Sequence, residues 1–185
     1  NLNLTHYMQI HISTRKEWRE WLRKNHKKQS KVAIILHKKH TGKPSISHKE
    51  SMEEAICFGW IDTTLKRINE DTYQRTFVRR TDKSKWSRNT LRYAQELIKK
   101  RKMAKEGLRR YNQAKDIPPL DHDLPKNPEP SELMKKMLGK NLKKFLKLPK
   151  STRKMYIYMF MRSKRPETKD KRIQEIIKIR EERNL

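Results

Sequence analysis

Between Cys57 and Asn89 the chain sets large aromatic rings beside polar groups that could bind or react. Trp60 and Asp62 follow the run Cys57-Phe58-Gly59, and Ser84, Trp86, Ser87 and Asn89 close the stretch. Arg79 ends an alternating segment between them. A carboxylate, a guanidinium and the donors of a Ser/Asn helix start would suit a polar or anionic ligand. Buried polar groups need partners. Trp60, Asp62, Arg79, Ser84, Trp86, Ser87 and Asn89 therefore form either a ligand pocket or a self-satisfied polar core. In the second case the expected contact is an ion pair between Asp62 and Arg79 on adjacent strands.

Catalysis is not indicated. Cys57 ends an apolar helix, where a free cysteine is ordinarily a small buried hydrophobe. His37 and His40 have a metal-like spacing, but no third ligand joins them locally, and zinc needs three or four. There is no Walker loop, dinucleotide fingerprint, zinc-protease helix or nucleophile elbow, and only four glycines in all. No catalytic residue, metal or cofactor is expected.

Charge gives a different direction. The 185 residues carry a formal net charge of +27. Self-repulsion of that size points to a polyanionic partner, and nucleic acid is the leading candidate. Residues 75–110 hold fourteen Lys/Arg against three acids. Arg75, Arg79, Arg80, Lys83, Lys85, Arg88 and Arg92 are the expected phosphate contacts, with Trp86 and Tyr93 interleaved for stacking.

The elements that must position these residues follow from pattern. Met8, Ile10 and Ile12 alternate as an edge strand. Thr14-x-x-Glu17 and Ser47-x-x-Glu50 are capping boxes that open two helices. Trp18, Trp21 and Leu22 fall on one face of the first. Val32 to Leu36 reads as a buried strand. Gly59 is placed to end the second helix in a left-handed cap. Ile61–Ile68 and Tyr73–Arg80 read as two strands joined at Asn69-Glu70-Asp71. Ser84 or Ser87 caps a third helix, and a fourth spans Met103–Ala114, interrupted or capped near Gly107. The expected fold is α+β: a core over residues 1–117, a proline-rich linker or wrapping arm over 118–130, and a helical segment over 131–185. Met155, Ile157, Met159 and Phe160 are too apolar for a free tail. Ser151 is placed to cap their helix, and Pro166 to open the next.

Cys57-Phe58-Gly59-Trp60-Ile61-Asp62, Ser84-x-Trp86-Ser87-x-x-Asn89, Met103–Leu108 and Ser163–Thr168 resemble the YdeI/OmpD-associated, bacteriocin-protection family over nearly the whole chain. That family usually has Pro where Val78 stands and Gly where Arg101 stands. The resemblance implies an α+β core in a cytoplasmic protein and no agreed biochemical activity. One cysteine, no apolar run of membrane-spanning length and no secretory leader pattern also read as cytoplasmic. The reading is a non-enzymatic protein that binds nucleic acid or another polyanion, without a membrane. The alternative is a stress or bacteriocin-protection protein that holds a small molecule or peptide in the Trp/Asp/Ser/Asn pocket.

Overall fold

The computed structural model describes residues 7–181; residues 1–6 and 182–185, at the ends of the two expected segments, lie outside the described residues. The fold is α+β. It divides into two compact units, residues 1–122 and 123–185.

The first unit is built on a four-stranded sheet of order β1-β2-β4-β3. Strand β1 (Met8–His11) runs parallel to β2 (Lys31–His37). The crossover between them is helix α1 (Arg15–Asn25). Thr14 and Glu17 cap it reciprocally, as the sequence predicts. Helix α2 (His48–Cys57) starts at the Ser47/Glu50 box and ends at Gly59, where φ is +74°. Strands β3 (Trp60–Arg67) and β4 (Thr72–Arg79) form an antiparallel hairpin, and β4 also pairs with β2.

Phe77 lies opposite Val32 and Tyr73 opposite Leu36, so alternate residues of β2 and β4 share one face. Trp18, Leu22, Val32, Ile34, Ile56, Trp60 and Phe77 are all fully buried in one cluster. The Trp18 ring stacks on Trp21, 5.4 Å between centroids, and its Nε1 donates to the Ser51 carbonyl. Trp18 and Trp21 are core residues that hold α1 on the sheet.

Helix α3 (Arg88–Lys99) is capped by Ser87, not Ser84. Helix α4 (Lys105–Ala114) runs unbroken through Gly107. The expected interruption is absent because Gly107 serves helix packing. A Cβ there would stand 2.1 Å from the Cys57 carbonyl oxygen.

Helix α3 closes on a non-glycine residue. Arg101 N–H bonds to the Ile98 carbonyl and Lys102 N–H to that of Leu97, a Schellman closure. This puts Arg101 at φ +54°, the one non-glycine residue with positive φ among those described. Such a conformation costs an L-residue about 1–2 kcal/mol. Glycine would carry no such strain.

In the second unit, α5 (Glu132–Leu138), α6 (Leu142–Leu146), α7 (Lys150–Arg162) and α8 (Pro166–Glu181) enclose their own core. Ile157 and Phe160 are buried in it with Met134, Phe145 and Ile173, while Met155 is exposed. Helix α7 begins behind Pro149, so Ser151 lies inside its first turn and does not cap it. The proline-rich stretch is tied down at both ends. Leu120 N–H donates to the Trp86 carbonyl at 2.7 Å within the first unit. Tyr158 Oη donates to the Pro125 carbonyl at 2.5 Å within the second. Among the described residues no helix is long and apolar enough to cross a membrane.

Candidate functional site

The pairing of β3 with β4 decides what Asp62 meets. Asp62 faces Phe77 in the ladder, so Arg75 and Arg79 are its two diagonal neighbours on the same face. The expected partner was Arg79, but Arg79 Nη1 donates to the Lys27 carbonyl at 3.0 Å. Arg75 takes the carboxylate instead, Nη1 to Oδ2 at 2.9 Å, and His48 Nε2 lies 3.6 Å away. Burial alone would raise the Asp62 carboxyl. His48 and Arg75 outweigh it and hold the group below the usual carboxylate range. Asp62 is an ion-pair member at the edge of the core.

The centre of the polar cluster is Arg80, which the sequence groups with the surface cations. Arg80 follows the last residue of β4, beyond the strand alternation, and is 1% exposed. Its N–H donates to the Gly59 carbonyl at 2.8 Å. Its guanidinium lies over the Trp86 ring, 3.8 Å from the centroid, and Nη1 donates to the Lys85 carbonyl at 3.2 Å. Nε and Nη2 have no hydrogen-bond partner. Burial pulls the Arg80 pKa down to about 10, with Asp62 opposing and Arg110 adding to the fall. Arg80 makes no surface phosphate contact in this arrangement, and Arg75, committed to Asp62, presents little of its charge.

The remaining pocket residues have local duties. Trp60 is fully buried, edge-on to Trp21, with Nε1 donating to the His26 carbonyl. Ser84 Oγ accepts from Thr81 N–H in a turn, and Ser87 Oγ accepts from Thr90 N–H as the α3 cap. Asn89 Oδ1 accepts from Arg92. Asp62, Arg80 and Trp86 are linked through Arg80; Arg79, Ser87 and Asn89 are not drawn into that cluster. Arg80 gives no signal of its own in sequence, because an arginine beside another in a basic run reads as solvated.

A recess does open beside Trp86. It is about 390 Å³ in volume and is lined by Lys83, Ser84, Trp86, Pro118, Pro119 and Leu120 among others. Residues 118–122 act here as the wrapping arm, and nothing in their sequence marks the recess they wall. Asp121 Oδ1 accepts from Arg88 N–H at 2.8 Å, which holds that stretch against α3.

Other reactive groups are quenched. Cys57 is fully buried, and burial followed by Glu54 pushes its thiol up to about 11. A thiol held so high has negligible thiolate at neutral pH. Among the described residues no group of three or more His, Cys, Asp and Glu is placed to hold a metal ion.

The fold and the cluster define a basic α+β domain followed by a small helical unit. Residues 10–110 match the family described as a domain of unknown function, DUF8412, and the chain belongs to that family. Residues 132–182 match the family described as bacteriocin-protection, YdeI or OmpD-associated. The resemblance expected over nearly the whole chain thus holds in the tail, around Ser163–Thr168, while the central motifs lie in the other family's segment. No curated protein and no solved structure matches the chain.

Proposed function

We propose that the protein binds nucleic acid without sequence specificity, through Lys and Arg contacts to phosphates. The observation that carries this reading is how the acids are spent. Glu53, Glu54, Asp62, Asp82, Glu96 and Glu106 each sit in an ion pair with an arginine. Lys83, Lys85, Lys99, Lys100 and Lys105 are exposed, and among the described residues none has a salt bridge. Internal carboxylates do not offset this charge, so an external polyanion has a clear electrostatic advantage. Lys83 and Lys85 line the Trp86 recess, whose apolar wall of Pro118, Pro119 and Leu120 suits an unstacked base. An unpaired buried thiol and such a partner both fit the cytoplasm.

The double variant Lys83→Glu/Lys85→Glu tests it. Affinity for unrelated DNA and RNA oligomers is expected to fall by about ten-fold or more at low salt, by a similar factor for each sequence, because phosphate contacts carry no base information. A loss confined to one sequence, or no loss, would count against it.

The match of residues 132–182 favours a second reading, protection by capture of a small molecule or peptide. The recess beside Trp86 is the place for it. Its two lysines favour an anionic molecule over a cationic peptide.

A further inference from the structure

A second recess, about 470 Å³ in volume, lies where the first turns of α1 meet the α3–α4 connection. It is lined by Arg15, Lys16, Arg19, Arg101 and Lys102, with Glu54 the single acid. Five cations around one cavity repel one another unless an anion joins them. Glu54 offsets only part of that charge. It is 2% exposed, and both its oxygens are occupied, by Arg15 Nε at 2.5 Å and Arg19 Nη1 at 2.6 Å. Its effect is to fix the two arginines in place. Glu53 takes Arg15 Nη1 at 2.8 Å, which leaves Arg15 Nη2 buried without a partner. Arg19 Nη2 donates to the Lys102 carbonyl at 2.9 Å, so the connection that carries Arg101 is anchored to α1. The donors are held before any ligand arrives.

Arg101 is the residue the fold does not explain. Its backbone is left-handed at the one described position where a non-glycine residue adopts that conformation. The Schellman closure needs only the backbone, and glycine would make it without strain. The arginine side chain is exposed at the recess and adds nothing to the core. Strain kept at a cavity with a large excess of positive charge points to a ligand contact.

We propose that this recess is a phosphate site that takes a phosphomonoester, with Arg101 a binding residue and Arg15 and Arg19 the oriented fork beneath it. A dianionic phosphate answers the charge, and its oxygens accept several charge-assisted hydrogen bonds at once. The source is either a free phosphorylated small molecule or the terminal phosphate of a nucleic-acid strand. The site stands apart from Lys83 and Lys85 and does not depend on the nucleic-acid reading.

The test uses the full chain, inorganic phosphate as probe, and calorimetry at fixed ionic strength. Wild type should show one saturable site. Arg101→Gly should bind phosphate about ten-fold or more weakly, equivalent to ~1.4 kcal/mol, while its Tm rises by roughly 2–4 °C from relief of strain. Lys83→Glu/Lys85→Glu should bind phosphate as wild type does, which separates this site from the nucleic-acid surface. An oligonucleotide with a 5′-phosphate that outbinds its 5′-hydroxyl twin, with the difference lost in Arg101→Gly, assigns the strand end. Equal binding of the twins beside saturable phosphate binding assigns the free phosphomonoester. Unsaturable phosphate binding, or Arg101→Gly binding phosphate like wild type, overturns the proposal.

Discussion

Gly107→Ala is expected to cost the first unit ~3 kcal/mol or more, at the upper end for overpacking and a large part of an ordinary domain's stability. Helix propensity alone predicts the opposite sign, since alanine is favoured over glycine by about 1 kcal/mol in a helix interior. Packing decides the outcome. An added Cβ would stand 2.1 Å from the Cys57 carbonyl oxygen, 2.6 Å from its carbon and 2.7 Å from the Ile56 oxygen. All three are backbone atoms of the last turn of α2, so no side chain can rotate away. The contact is also pinned, because Ala104 N–H donates to the same Cys57 oxygen at 3.0 Å. Relief would require α4 to withdraw from α2, pulling Glu106 and Arg110 off Gly59, which they crowd. Urea denaturation of the full chain measures the effect. A variant as stable as wild type would show that α2 and α4 do not approach this closely.

Replacement of Arg80 should separate shape from charge. Arg80→Ala removes a large, fully buried side chain from beneath Trp86 and should cost about 2–5 kcal/mol through the cavity it leaves. Arg80→Met keeps most of the volume and should stay within about 1.5 kcal/mol of wild type. The methionine loses the contact over Trp86 and the bond to the Lys85 carbonyl. It also removes a buried cation with two unpartnered nitrogens, and such charges are often no better than an apolar replacement. The pH dependence has a definite sign. Burial holds the Arg80 guanidinium at about 10, below its usual range. A base whose pKa is lowered on folding burdens the folded state while it is charged. That burden is present below pH 10 and is relieved as pH rises through it. Wild type should therefore gain on Arg80→Met as pH climbs through 10 and above it. Because Arg80 touches no surface phosphate, Arg80→Met should leave the salt dependence of nucleic-acid binding unchanged.

What the sequence makes legible is local. The two capping boxes depend on residues three apart, and both form as expected at Thr14/Glu17 and Ser47/Glu50. The left-handed turn at Gly59 and the strand alternation of 73–79 are likewise written within a few residues. The site depends on contacts that short-range pattern does not encode. Asp62 has arginines on both diagonals, and it pairs with Arg75 while Arg79 donates to the Lys27 carbonyl, far away in sequence. Gly107 looks like a helix breaker until α2 is placed against it. Arg101 looks like one more lysine-run neighbour until the helix closure puts it in glycine's conformation. Residues 118–122 look like a tether or an arm, yet they wall the Trp86 recess, held there by the bond from Leu120 N–H to the Trp86 carbonyl, a contact far apart in sequence.

The most direct measurement is an anisotropy titration of the full chain against unrelated duplex DNA at several salt concentrations. With about six phosphates neutralised, the logarithm of the association constant should fall with the logarithm of salt at a slope near −5, from roughly −0.9 per phosphate. Unrelated sequences should give the same slope and nearly the same affinity. A chain with a net charge of +27 has every electrostatic advantage at low salt. Absence of binding there would contradict the nucleic-acid reading and leave capture in the Trp86 recess as the function to pursue.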